Sequence, residues 1–352
     1  MPTPDLTLPA FFTVLGLILV IPLFILPRLA QWTQSQQSTL KTKLTSKPQP
    51  PSEIISLRVY PIKSCRGFEL RSASLFTHGL EFDRKWMIAD ANTRQFLTIR
   101  QIPEMTLINT GISDDGNHLV ISIKDEDEVR IPIKPSNEWL ARNTTLEKVK
   151  IWDTVTDGYI YGPEINGLFS KFLNRDLCLV YKGPTPRILG GNGDPRVLGR
   201  EQSVNFPDVH PVLIASMSSI SELNTRLNSR GENPITIERF RPNIIIKGNT
   251  PWTEDSWKVV RISGDEETKP LDLDVVARCA RCQVPNVDPD TAAKHPKQPW
   301  DTLVSYRRID EGIKYKPCFG MLCAPRDVGS VEVGMKLEVL EETDQHRYIK
   351  GF

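Results

Sequence analysis

The sequence predicts a strand-dominated α+β fold, barrel-like in its soluble part, behind one amino-terminal membrane anchor. Three observations carry this. From Glu53 onward, short runs of β-branched and aromatic residues alternate with turn residues. Helical periodicity is confined to a few stretches. The segment LPAFFTVLGLILVIPLFIL, from Leu8 to Leu26, carries no charge.

As a helix, that segment rises about 28 Å, close to the hydrocarbon thickness of a bilayer. A cleaved signal peptide is disfavoured, because Asp5 and no cation precedes the apolar run and no small-x-small site follows it. Positive charge follows at Arg28, Lys41, Lys43 and Lys47, which orients the bulk of the chain to the cytosol. Pro22 reads as a kink. Residues 31–52 are polar and end Pro-rich, a linker composition.

Beyond the linker, IISLRVYPI and RSASLFTHG read as strands, and HLVISIKDEDEVRIPIK as a hairpin with a solvated acidic turn. PEINGLFSKFLNRD places Ile165, Leu168, Phe169 and Phe172 on one helical face. SSISELNTRLNSRG carries Ile220, Leu223 and Leu227 on a stripe, with Ser219 and Glu222 expected as a capping box and Gly231 as the stop. The alternating GSVEVGMKLEVLEE closes the strand pattern. LGGNGDPRVLG has Arg196 where a dinucleotide fingerprint needs Gly, so it is expected to be a flexible surface loop.

A net charge of +1 gives no whole-chain case for nucleic acid. Six cysteines are too sparse for a secreted disulfide scaffold. Cys178, in DLCLVY, and Cys65 are expected to be buried core thiols. The chemistry concentrates in VARCARCQVPNVDPDT, where Cys279 and Cys282 stand at C-x-x-C spacing, each after an arginine. With Cys318 and Cys323 they could form a four-sulfur zinc site. Two neighbouring guanidiniums oppose that, and a redox pair lacks its βαβ context. A single reactive thiolate at Cys282, its pKa lowered by Arg281, fits better. Lys63 and Ser64 after one strand, Arg84, Arg241 and Asn243 before another, and a helix amino terminus at Ser216 to Ser219 would together suit a phosphate-bearing ligand.

The stretches SLRVYPIKSCRGFEL, THGLEFDRKWMIAD, FLTIRQIPEM, RFRPNIIIKG, RCQVPNVDPDT and KPCFGMLC occur in order between about residue 54 and about residue 340. Together they resemble the MOSC family, in its membrane-anchored branch typified by the mitochondrial amidoxime-reducing component. The resemblance implies an anchor and linker over residues 1–52, a β-rich N-terminal domain over 53–183, a β-barrel MOSC domain over 184–342 and a tail over 343–352. It also implies a molybdenum–molybdopterin cofactor. Cys282 would be the catalytic cysteine and metal ligand. Lys63, Ser64, Arg84, Arg241 and Asn243 would hold the pterin and its phosphate, Ser216, Met217 and Ser218 would close the pocket, and Ala280 and Arg281 would shape the loop beside the metal. Leu322, where some relatives have tyrosine, and Ala280, where some carry a small polar residue, leave the substrate preference open.

The implied reaction is reduction of an N-hydroxylated substrate. Electrons would come from NADH through a flavin reductase and a b-type haem cytochrome, at the mitochondrial outer membrane or, alternatively, the endoplasmic reticulum. Two other functions remain: a sulfur carrier bearing a persulfide on Cys282, and a membrane-tethered zinc or interaction protein.

Overall fold

Strand β1 (Ser52–Val59) buries Ile54, then Leu57 and Val59, the phase shift falling at a bulge between Ile54 and Ser56. It is the first described element in a computed structural model that covers residues 49–123 and 127–351. The expected span Leu8–Leu26 and most of the linker lie outside the described residues. Among the described residues, no helix is long and apolar enough to cross a membrane.

After β1 the chain forms β2 (Phe68–Leu70), β3 (Ser72–Phe76), β4 (Gly79–Leu80) and β5 (Trp86–Asp90). The antiparallel meander β6 (Ile108–Ile112), β7 (His118–Ile123) and β8 (Asp127–Pro132) contains the expected hairpin, whose turn residues 124–126 lie outside the described ones. Then come α1 (Asn137–Asn143), β9 (Thr144–Ile151), β10 (Thr154–Tyr161), α2 (Pro163–Leu173) and β11 (Leu177–Lys182). Strands β5, β11, β10 and β9 form one antiparallel sheet. Helix α2 packs the predicted face, with Phe169 buried and Ile165, Leu168 and Phe172 against the same core. Cys178 and Cys65 are buried thiols, as expected, and burial pushes both upward in pKa, to about 11 and about 12.

The second half runs β12 (Arg187–Ile188), α3 (Pro195–Leu198), β13 (Ser203–Val204), β14 (Val212–Ser216), α4 (Met217–Asn228), β15 (Ile244–Ile246), β16 (Trp257–Ser263), β17 (Leu271–Ala280), α5 (Trp300–Tyr306), β18 (Cys318–Pro325), β19 (Gly329–Glu332) and β20 (Lys336–Glu342). Seven strands close into a barrel in the order β15-β14-β18-β17-β16-β20-β1, since β1 also pairs with β15, and β2 extends from β1. Closure removes the open sheet edges. Alternate residues such as Ile214, Ile244, Val260, Leu273 and Met321 fill one apolar core. The opposite phase of β14 and β18 sends Leu213 and Leu322, which are register partners, to the other face. That face is one wall of the cavity described below.

Two local expectations change. Helix α4 buries Ile220, Leu223 and Leu227 as its stripe predicts, but begins at Met217, and Ser219 caps nothing. Instead Ser219 Oγ donates to buried Glu254 at 2.6 Å and accepts from the Trp252 amide, while Glu222 accepts from Trp252 Nε1 and the Tyr306 hydroxyl. Tertiary partners outcompete the local cap. The Gly-rich stretch is no loose loop either: Gly191–Gly193 is a 3-10 turn with Asn192 and Gly193 buried, followed at once by α3.

Candidate active site

A cavity of about 660 Å³ is bounded on one side by loops of the first half and on the other by β14, β17 and β18. It brings together Lys63, Ser64, Arg84, Arg241, Asn243, Ala280, Arg281 and Cys282 from the residues expected in the site. Ser216, Met217 and Ser218 do not line it. Ser216 stands at the far end of β14 from Leu213, and its hydroxyl hydrogen-bonds that of Ser218 at 2.6 Å.

Arg84 and Arg241 both stack on Tyr60, with guanidinium carbons 4.4 Å and 4.2 Å from the ring centroid. Arg84 is anchored by buried Asp83 at 2.7 Å and donates to the Arg241 carbonyl. Burial, with Arg84 adding to it, pulls the Arg241 pKa down to about 10. Arg241 Nη2 and Arg281 Nε are buried donors without a partner. Ser64, Arg84, Trp152 and Arg241 line the cavity in left-handed backbone conformations, at φ 72°, 47°, 53° and 58°. Such geometry costs of order 1–3 kcal/mol per residue and concentrates where a fold aims groups at a ligand.

Asn243 reaches the cavity wall, but its side chain is occupied with the fold. Its Oδ1 accepts from the Leu213 amide at 3.1 Å and its Nδ2 donates to the Arg58 carbonyl at 3.2 Å, tying β14 to β1.

The arginine expected to act on Cys282 turns away from it. Arg281 donates to Cys279 Sγ at 2.9 Å and to the Phe240 carbonyl at 2.9 Å. Burial raises the Cys279 thiol despite that guanidinium. Cys282 is contacted instead by Arg100, whose Nε lies 3.3 Å from the sulfur. Arg100 also pairs with Asp208 at 2.8 Å and stacks on Trp152, whose indole donates to Asp208 at 3.2 Å. Lys63 pairs with the other Asp208 oxygen and donates to the Phe206 carbonyl. Burial pulls the Lys63 ammonium down to about 8, with Asp208 resisting. Burial favours a neutral Asp208, but Lys63 and Arg100 overcome it and hold the carboxyl far below the usual range.

Spacing gave no signal for Arg100, Asp208 or Trp152. Arg100 was visible only inside the stretch FLTIRQIPEM. Cys318 and Cys323 lie within β18, Cys318 in register with Ala280 and Cys323 with Val275. Among the described residues, no three His, Cys, Asp or Glu side chains are grouped to hold a metal ion. The four cysteines therefore do not assemble a zinc site.

Chemically, the cavity presents two cysteine sulfurs, of which Cys279 already accepts from Arg281, beside a set of cations, two of which, Arg241 and Arg281, have an unsatisfied donor. It suits an anionic ligand that also carries a centre for thiolate.

Comparison with known proteins agrees with this architecture. Residues 52–176 match the MOSC N-terminal beta barrel domain and residues 201–338 the MOSC domain. The mitochondrial amidoxime reducing component 2 of Bos taurus is 31% identical over 290 residues, 80% of this chain and 81% of that protein. The mitochondrial amidoxime-reducing component 1 of Mus musculus is 33% identical over 80% of each chain. The molybdenum cofactor sulfurase of Arabidopsis thaliana is 33% identical over 79% of this chain but only 34% of its own length. With both domain matches and relatives alike over four fifths of their length, the chain belongs to the MOSC family, in the branch that contains the amidoxime reducing components.

Proposed function

We propose that the protein is a molybdenum-cofactor-dependent reductase of N-hydroxylated compounds. The observation that carries this reading is Cys282 at the wall of a cation-lined cavity where Arg241 and Arg281 each keep a buried donor without a partner. The donor set fits the cofactor. Arg84, Arg241 and Ser64 would hold its phosphate and pterin, and the Cys282 thiolate would be its protein ligand to the metal. When bound, the molybdenum cofactor supplies the two-electron chemistry that side chains lack.

The chain's own residues bind, orient and insulate. Arg100, held by Asp208 and Trp152, fixes the environment of the Cys282 sulfur. Lys63 and Asp208 neutralise each other at the cavity wall, so charge there is set by the arginines. The left-handed Arg84 and Arg241 are pinned against Tyr60 and need little reorganisation to meet an anion. In the net reaction the N–O bond breaks, two electrons and two protons enter, and amine or amidine plus water leave. The electrons would be delivered by external partners, a b-type haem cytochrome and its NADH-dependent flavin reductase. The apolar amino-terminal segment would hold the protein at the mitochondrial outer membrane with those partners.

The experiment is reduction of an amidoxime to its amidine by the full chain, with a chemical reductant in place of the protein donors. Turnover in the wild type and none in Cys282→Ala supports the reading, and equal rates in both overturn it. The likeness to the sulfurase keeps persulfide carriage by Cys282 as a second reading, to which intact-mass detection of an added sulfur would point.

A further inference from the structure

Residues 343–351 follow β20 and form no helix or strand, yet they are fastened along their length. The Thr343 amide donates to the Ser256 carbonyl, and His346 Nε2 bonds the Trp257 carbonyl at 2.6 Å. Arg278, buried, donates to the His346 carbonyl at 3.0 Å. Asn192 clasps the next turn from both sides, donating to the Arg347 carbonyl at 2.9 Å and accepting from the Ile349 amide at 2.7 Å. The Tyr348 amide donates to Asp310 at 2.9 Å.

The glycines of LGGNG belong to the same arrangement. A Cβ at Gly190 or Gly191 would run into the backbone of Gly351 or Ile349, and one at Gly312 into the Tyr348 carbonyl. The motif that mimics a nucleotide loop is therefore a docking groove for the chain's own backbone. This segment lies beyond residue 338, where the MOSC match ends.

Tyr348 and Lys350 from this segment line the cavity, with Ile313 and Lys316 from the turn beneath. Both lysines are exposed, and among the described residues neither has a carboxylate partner. Seven cationic side chains and two carboxylates line the cavity, and one of those carboxylates, Asp208, is already shared by Lys63 and Arg100. Arg84 is paired with Asp83 behind the wall, so an anionic group entering past Lys350 and Lys316 meets Arg241 and Arg281, which have no carboxylate partner among the described residues.

We propose that residues 343–351 are a strap that walls the cavity, and that Lys350 with Lys316 selects substrates bearing a carboxylate or phosphate besides the N–OH group. The substrate class rests on the reductase reading, whereas the wall and its anion preference do not. The test compares two reagents of similar size that differ in charge, iodoacetate and iodoacetamide. Each alkylates Cys282 in the full chain, made in a host that produces no molybdenum cofactor, and peptide mass spectrometry reads the site.

Lys350→Glu and Lys316→Glu are each expected to lower the iodoacetate-to-iodoacetamide rate ratio about fivefold at low salt, an effect that salt erodes. Tyr348→Ala is expected to speed the neutral reagent about twofold or more by opening the wall. An unchanged ratio in both lysine variants overturns the anion selection, and an unchanged iodoacetamide rate in Tyr348→Ala overturns the wall. Neither reagent needs the reductase to turn over, so failure of the reductase reading shows separately, as absent amidoxime reduction by the cofactor-loaded chain.

Discussion

Arg100 donates its Nε–H to the sulfur of Cys282 at 3.3 Å, joining a loop of the first half to the segment that follows barrel strand β17. The same guanidinium holds Asp208 through Nη2 at 2.8 Å. Its planar fork serves a sulfur and a carboxylate at once, which an ammonium cannot do. Arg100→Lys should therefore lower amidoxime turnover by about tenfold or more while leaving the circular dichroism spectrum intact. Wild-type rates in Arg100→Lys would show that the contact is incidental.

Asp208 is the anion shared by Lys63 and Arg100. Its side chain keeps 37% of its surface exposed, which tempers the cost of losing it. Asp208→Asn should destabilise the fold by about 1–3 kcal/mol, because the ammonium of Lys63 is left buried without its counter-ion. The Asp208 pKa is depressed in the folded state, so its stabilisation is full above the ordinary carboxylate pKa and is lost progressively as pH falls from there through the folded value. Urea denaturation at pH 7 and at pH 3 checks this: the variant should lie well below the wild type at pH 7, and the gap should narrow at pH 3 without closing.

Four thiols should separate by role. Cys282→Ser should abolish turnover with the fold unchanged. Cys279→Ser should retain turnover, since that sulfur only accepts from Arg281. Cys323→Ser and Cys318→Ser put hydroxyls into fully buried barrel positions and should each cost about 1–3 kcal/mol of stability. Chemical denaturation beside an activity assay distinguishes these outcomes from a four-sulfur metal site, which would make all four variants unfold together.

Glu254 supplies a pH signature away from the cavity. It is 1% exposed, and one oxygen accepts from Ser219 while the other has no partner. Burial pushes its carboxyl up to about 7, against the Ser219 hydrogen bond. A raised carboxyl pKa means the folded chain keeps a proton that the unfolded chain releases. The resulting stability is full below the ordinary glutamate pKa and is lost as pH rises towards 7. Glu254→Gln should remove that slope and gain of order 1–3 kcal/mol at pH 8, read by denaturation across pH 5 to 8.

The strand alternation of β20, the stripe of α4 and the apolar face of α2 were legible in the sequence because each depends on local periodicity. Cys282 stood out through its motif, and Lys63, Arg84 and Arg241 through the ordered stretches around them. What the sequence hid is set by long-range pairing. Nothing near Arg281 says that its guanidinium turns to Cys279, or that the partner of Cys282 is 182 residues upstream. Ser216 to Ser219 looked like a helix start suited to an anionic ligand, but that end of β14 lies away from the residues that line the cavity. The glycines at 190 and 191 read as loop residues because the segment they accommodate lies 158 residues or more further along the chain.

On the function proposed above, Cys282 is the protein ligand of a molybdenum cofactor. Metal analysis by mass spectrometry on the full chain, produced in a host that makes the cofactor, tests it most directly when wild type is set beside Cys282→Ala. Near-stoichiometric molybdenum is expected in the wild type, and its loss in the variant. Stoichiometric zinc instead, or no metal with a persulfide on Cys282, would contradict it.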